Sequence, residues 1–358
     1  MKYPLITHVL WTLGRAGAER MVLDLCTRLP EHGFEVAVLA PGGGGAMESD
    51  FRDRHIPLFI GPVTPKRRET FAFLERTMKT HPPAVWHTHL GGDIWGGILA
   101  VRHKLHPWII TAHNTDPDDR WALHQARGFA FRHADHVACV SQAVQTYAKE
   151  EFRLSDERSS IIRNGIDLQT CPPRGEHPFR DIPHIISIGR LCPQKDQATL
   201  LRALAGVKRP WKLTIIGEGP DDIMLQRLAS TLGILPRVQF IGSVPRASEH
   251  LMHADLFCFP SRWEGQGIAL LEAMASGVPV IASDLPVFRE TFDEKSVCYA
   301  PSGDVDGWSK AILSVLARPM EAFQRTREAH RIVTERFRMD QMVERYVSLY
   351  ENLRRASK

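Results

Sequence analysis

Short apolar runs alternate with helical periodicities twice along this chain, and a Pro-rich polar stretch separates the two series. That alternation restricts the fold more than any other feature. Strands that each need a helical crossover pair in parallel, with helices on both faces of the sheet. In the first series LITHVLWTL (5–13) reads as a strand. A helix follows in which Met21, Val22, Leu25, Cys26 and Leu29 recur at helical spacing and Gly33 marks the stop. Further strands are expected at 34–41, 84–90, 106–114, 135–142 and 159–167. The second series is expected to place strands at 184–190, 211–220, 237–244, 254–261 and 278–283. The expected fold is α/β: two doubly wound, Rossmann-like domains facing across a cleft. Residues 1–168 make the first domain, 169–183 a linker and 184–336 the second, and the tail 336–355 reads as one amphipathic helix. In such sheets ligands bind beyond the carboxyl ends of strands, so the loops that follow strands carry the interest.

Composition excludes several classes. Net charge is only +4. Residues 1–170 hold 20 Lys/Arg against 19 Asp/Glu, so no basic arm points to nucleic acid. Histidine is uneven, with 12 of 17 in that same half, which mild acid would make the more cationic. The six cysteines are far apart and include no C-x-x-C, a reduced intracellular pattern rather than a disulfide or zinc framework. The first residues lack the apolar length and cleavage site of a signal peptide, and no apolar run approaches the ~18 residues of a membrane span.

The densest signal is SRWEGQGIALLEAMASGVPVIAS (261–283). A buried strand ends, EGQG turns, and a helix opens. Its first N–H groups and partial positive charge make an anion site suited to a diphosphate, and Gly265 and Gly267 let backbone approach a ligand closely. Glu272 sits one turn inside beside Ile268, Ala275 and Ser276, where it can accept two hydroxyl protons of a ribose. Glu264, in the loop, can reach a second polyol. The alternatives are a capping carboxylate and a satisfied core carboxylate. After the strand at 184–188, GRLCPQKDQ brings Arg190 and Lys195 to a helix that Asp196 can cap, and two cations there suit a leaving diphosphate. The bland alternative is a pair of solvated surface cations.

Other loops add weaker signals. GEGP (217–220) is a turn that can abut a base, but it lacks the last glycine of a dinucleotide fingerprint, and no G-K-[ST] triplet occurs. GRAGAE (14–19) is another strand-to-helix turn that can touch phosphate. TAHN places His113 just past a strand. His87 and His89 in HTH have metal-like spacing, but no third ligand is evident, and DPDD (116–119) does not follow an apolar strand as a manganese site would. No metal or other cofactor is expected. The basic stretch 65–79, with Phe71, Phe73, Leu74 and Met78, allows either peripheral membrane contact or an ordinary core-facing helix.

AGAER, TAHN, VSQAV, NGID, IGRLCPQKD, IIGEGP, FIGSVP and EGQGIALLE occur in this order along almost the whole chain. The ordered set resembles the retaining, GT-B-fold glycosyltransferases of family 4, also called group 1 transferases. The resemblance implies that Glu272 binds the nucleotide ribose and Glu264 the donor sugar. Arg190 and Lys195 would neutralise the leaving diphosphate. Gly17 would approach the donor phosphates, and His113 would lie near the transferring sugar. Gly189, Gly217, Val244, Gly265, Gln266, Gly267, Ile268 and Ala269 would complete the donor site. The final helix, 337–358, would cross back to the first domain. Two departures stand out: Gln266 replaces a common aromatic or aliphatic residue, and AGAE replaces GGAE.

The reaction so implied moves a hexosyl or N-acetylhexosaminyl unit from a nucleoside diphosphate sugar, UDP before GDP, to an acceptor hydroxyl with retention and without metal. The partners expected are that donor and a glycan or lipid-linked acceptor, at the cytoplasmic face of a membrane or in the cytoplasm, in cell-envelope or exported polysaccharide synthesis. A nucleotide-sugar epimerase, which consumes donor without acceptor, and a catalytically silent nucleotide-sugar-binding subunit are the alternatives.

Overall fold

The structure is a computed structural model that describes residues 3–115, 121–175 and 178–356. The DPDD segment lies outside them. The chain divides into two compact units, one of residues 1–165 with 339–358 and one of residues 166–338.

The first unit holds a seven-stranded sheet in the order β3-β2-β1-β4-β5-β6-β7, every pair parallel. The strands are β1 (Leu5–Val9), β2 (Glu35–Ala40), β3 (Leu58–Ile60), β4 (Val85–His89), β5 (Trp108–Ala112), β6 (His136–Cys139) and β7 (Ser159–Ile161). The second unit holds a six-stranded parallel sheet in the order β10-β9-β8-β11-β12-β13. Its strands are β8 (His184–Ile188), β9 (Lys212–Ile216), β10 (Val238–Phe240), β11 (Leu256–Phe259), β12 (Val280–Ser283) and β13 (Cys298–Ala300). In both sheets the order reverses beside the unit's first strand, between β1 and β4 and between β8 and β11. Those reversals are the topological switch points where doubly wound sheets take ligands.

Burial follows from the crossovers. With helices on both faces, a parallel strand reads as a continuous apolar run, and β11 (LFCF) buries all four residues. β4 departs from that rule, because VWHTH is equally buried yet carries three polar side chains. On one face of the first sheet the side chains change character along the strands. Ile6, Val85 and Ile109 join the apolar core, and His8, His87 and Thr111 succeed them two residues on. The helix Met339–Ala356 covers this face. It buries Met342, Tyr346 and Tyr350, and the phenols of Tyr346 and Tyr350 lie 2.9 Å from Thr111 Oγ1 and 2.8 Å from His87 Nδ1.

Three features depart from the sequence reading. β1 stops at Val9 rather than running to residue 13, because Leu13 turns aside to exchange backbone hydrogen bonds with Gly44 and Met47. β3 and β13 are three-residue edge strands, too short to show a period. The tail is one helix, but it starts at Met339 rather than at 336, because the preceding helix Pro319–Arg336 ends before Phe337. The break is held where Ile166 N–H donates to Phe337 O at 2.8 Å, and Phe337 stacks on Phe292 in the second unit.

The Pro-rich stretch after residue 168 is tied into the second unit. Arg174 is buried, its Nε donates to Ala254 O at 2.8 Å, and its guanidinium meets Asp255 at 3.3 Å. Asp255, fully buried, also accepts from Arg180 at 3.0 Å and from His184 N–H at 2.9 Å. Removing one partner of a buried pair leaves a charge uncompensated. Asp255→Ala is therefore expected to cost the second unit about 3–5 kcal/mol in urea unfolding. Asp255→Asn, which can still accept the His184 N–H, should cost clearly less, and equal losses would deny the pairing its importance.

Candidate functional site

In the second unit the loops leaving β8 and β11 lie side by side because their strands are neighbours at the switch point. Backbone and side-chain bonds lace them together. Arg262 N–H donates to Gln194 O at 2.7 Å, Gln194 Nε2 donates to Trp263 O at 3.0 Å, and Arg262 Nε meets Asp196 at 3.1 Å. Asp196 also caps the helix Gln197–Ala205, accepting from Thr199 N–H and Thr199 Oγ1. Within this frame Lys195 forms an ion pair with Oε1 of the buried Glu264, and the same oxygen accepts from Ser261 Oγ at 2.7 Å. The Lys195 ammonium also sits 4.9 Å over the Phe259 ring. Both contacts to Glu264 fall on Oε1, which leaves Oε2 for a ligand.

EGQG is a buried turn. Gly267 takes φ +80°, and a Cβ there would stand 3.0 Å from both Phe259 and Phe288. It opens the eight-residue helix Ile268–Ala275, which no side chain caps. Leu270 and Leu271 N–H groups return to Gly267 O, while those of Ile268 and Ala269 have no partner among the described residues. They form the free positive end of the helix. Gly265 and Gln266 are buried beside it, and Glu272 is half-buried one turn inside rather than sunk in the core. Arg190 is exposed at the carboxyl end of β8, and its carbonyl accepts from Gln197. Gly189 and Gly217 account for each other. Gly217 has φ +140°, and a Cβ on it would lie 2.0 Å from Gly189 O, so backbone packs on backbone where β8 and β9 end. Val244 is half-buried after β10.

In the first unit Gly17 begins the helix Gly17–Arg28 after β1, behind an extended Ala16 that offers no cap. His113 is half-buried after β5. Sequence reading found no third ligand for His87 and His89, yet the structure brings one. β1 pairs with β4 so that His8 stands opposite His87, and ring nitrogens of His8, His87 and His89 lie within 4.8 Å of one another. His8 Nδ1 is 3.0 Å from His89 Nε2, and His89 Nδ1 is 3.0 Å from His113 Nε2. His87 bonds instead to Tyr350 and, through Nε2 at 2.8 Å, to Thr111. Burial holds all four imidazoles neutral. It takes His8 and His113 down to about 3 from 6.5, and His87 and His89 well below 6.5. The stretch 65–79 forms the helix Arg67–Thr80, with Phe73, Leu74 and Met78 turned into the unit's own core.

Sequence reading missed Gln194, Ser261, Arg262 and His8. Gln194, Arg262 and His8 owe their places to a strand neighbour far away in sequence, so only the pairing order reveals them, whereas Ser261 reaches Glu264 within its own loop.

Two parallel α/β units with the ligand-competent loops at their switch points make the GT-B glycosyltransferase fold. The first unit matches the model for Glycosyltransferase Family 4 over residues 15–170, and the second matches Glycosyl transferases group 1 over 174–333. The chain belongs to this family of glycosyltransferases. It is 28% identical to a GDP-mannose-dependent alpha-(1-6)-phosphatidylinositol monomannoside mannosyltransferase of Mycolicibacterium smegmatis, over 80% of this chain and 82% of that one. A phosphatidyl-myo-inositol mannosyltransferase of the same organism is 27% identical over 84% and 81%. The structure of Anabaena HepE in complex with UDP and glucose superposes with a TM-score of 0.87 at 19% identity, covering 98% of this chain and 100% of that one. Among the described residues no helix is long and apolar enough to cross a membrane.

Proposed function

We propose that the enzyme transfers a hexosyl or N-acetylhexosaminyl unit from a nucleoside diphosphate sugar to an acceptor hydroxyl, with retention at the anomeric carbon and no metal. The observation that carries this reading is the loop pair in the second unit. A free helix N-terminus, Lys195 and Arg190 gather positive charge, and two carboxylates, Glu264 and Glu272, stand within one helical turn of it. Cations and helix N–H groups stabilise charge as it develops on a leaving diphosphate. Glu272 holds the ribose, and Glu264 takes a sugar hydroxyl with Oε2. Because Oε1 of Glu264 is already committed to Lys195 and Ser261, this carboxylate is built to orient a ligand rather than to abstract a proton.

The step needs no carboxylate base. The bond between the anomeric carbon and the diphosphate oxygen breaks, and the acceptor oxygen bonds to that carbon from the same face. The acceptor's proton passes to the departing phosphate oxygen. UDP stands ahead of GDP as carrier, in keeping with the UDP complex of HepE. The GDP-mannose dependence of the mycobacterial relative supports a second reading, a mannosyl donor. The phosphatidylinositol-based relatives support a lipid-linked or cell-envelope acceptor, reached by a cytoplasmic protein in contact with a membrane.

Thermal unfolding with UDP, GDP, ADP and NAD, each with and without EDTA, tests the donor site. A ligand at 100 times its Kd stabilises by about 2.7 kcal/mol. The expected result is a shift with one nucleoside diphosphate, unchanged by EDTA and lost in Glu272→Ala. A response to NAD alone, or to no diphosphate, would overturn the reading. Donor consumed without acceptor would mark an epimerase instead.

A further inference from the structure

Donor binding as proposed leaves the buried His8, His87 and His89 without a role. His89 lies between His8 and His113, with one ring nitrogen 3.0 Å from each. At the far end of this row of rings, His8 Nε2 is buried and has no partner among the described residues. A neutral imidazole carries a single N–H, so each ring in the chain can donate once and accept once. An orphaned buried N–H is rarer and costlier than an orphaned lone pair. The bare nitrogen at His8 Nε2 is therefore the unprotonated one. His8 then donates from Nδ1 to His89 Nε2, and His89 must carry its proton on Nδ1 and donate it to His113 Nε2. His113 is left with its own proton on Nδ1, the nitrogen that no described residue binds. The half-buried His113 ring lines a cavity with Asp93, Asn114, Arg127 and Tyr147.

We propose that His8 and His89 are positioning residues that set His113 as its Nδ1–H tautomer, so that it offers a hydrogen-bond donor to an oxygen of the bound substrate and does not act as a base. The ligand chemistry is an acceptor oxygen, either a sugar hydroxyl or a phosphate. The role assigned to that oxygen rests on the transferase reading, whereas the proton assignment does not. A metal at His8, His87 and His89 competes with this account. Five of their six ring nitrogens are already engaged, by His89, Tyr350, Thr111, His8 and His113, so a bound ion would have to break the chain.

Full-length protein labelled with ¹⁵N-histidine reports tautomers directly through long-range ¹⁵N–¹H correlations at pH 7.5, with His113→Gln assigning the signal. The expected pattern is a protonated Nδ1 and an unprotonated Nε2 at His113. A protonated Nε2 overturns the proposal, as does stoichiometric zinc found in the purified protein or taken up with loss of the pattern. His89→Leu removes the donor to His113. It should mix the tautomers and lower kcat/KM about 10-fold. His89→Asn, whose amide N–H stands near the lost Nδ1, should restore both. Wild-type tautomers and rates in His89→Leu would also overturn the proposal. If His89→Leu does not fold, the wild-type spectrum still decides. The expected tautomer without any transfer activity would sink the proposed function while leaving the proton assignment intact.

Discussion

Lys195→Met is expected to lose turnover and stability together. Removing one preorganised group that stabilises a developing anion costs about 10²–10³ in kcat. The same change strips the buried Glu264 carboxylate, whose side chain is only 6% exposed, of its ion-pair partner and leaves it the Ser261 hydroxyl. Breaking a buried pair from one side costs about 3–5 kcal/mol. Glu264→Gln should be milder for stability. The amide can still accept from Ser261, and the ammonium keeps the Phe259 ring beneath it. The double variant separates the two effects, because with no charge left unpaired it should recover most of the stability and none of the turnover. Steady-state kinetics and urea unfolding of the three variants check this. Wild-type turnover in Lys195→Met would remove the lysine from the reaction, and undiminished stability would mean that Glu264 finds another partner.

The second large effect is acid sensitivity of the first unit. His8, His87, His89 and His113 are neutral when folded and titrate near 6.5 when unfolded. Above 6.5 neither state binds their protons, so the shifts cost nothing there. Below 6.5 the unfolded chain takes up protons that the folded one refuses, and stability falls. For His8 the loss grows until pH passes about 3. His8 and His113 each remove about 1.4 kcal/mol per pH unit in this window. His87 and His89 add to the loss in the same direction, against the 5–15 kcal/mol that a whole domain has to spare. At the His87 end the bonded side chains, Thr111, Tyr346 and Tyr350, carry no charge, while His113 shares its cavity with Asp93 and Arg127, whose opposite charges face it together. Hydrogen exchange read by mass spectrometry between pH 7.5 and 5 should show the first unit opening before the second. His8→Gln should lower the pH slope by about one proton. A flat profile from 7 to 5 would contradict the burial of these rings.

The alternation of strand and helix, the capping aspartate at 196 and the helix after EGQG were all legible in the sequence, because each is a local pattern over ten or so residues. The three-residue strands β3 and β13 were not, whereas the equally short β7 and β10 were expected within longer runs. The boundary near residue 336 was legible, but the start of the last helix at Met339 was not. The apolar spacing of Phe337, Met342, Tyr346 and Tyr350 continues through it, while Phe337 in fact stays with Phe292. At the site, the charged residues could be read but their pairing could not. Lys195 and Glu264 are 69 positions apart and meet because β8 and β11 are neighbours. His87 and His89 suggested a pair, and His8 became visible only when β1 was laid against β4.

The return of the helix Met339–Ala356 to the first unit also sets an order of events during synthesis. The second unit is one uninterrupted segment of 173 residues (338 − 166 + 1), and it can close as soon as it leaves the ribosome. The first unit begins earlier but lacks the helix that roofs the face carrying His8, His87 and Thr111 until that whole segment has been made. At about 5–20 residues per second the wait is roughly 10–35 s. During that time the apolar surface around Ile6, Val85 and Ile109 is open to chaperones or to other nascent chains, so the half of the protein that is translated first is the half that is completed last.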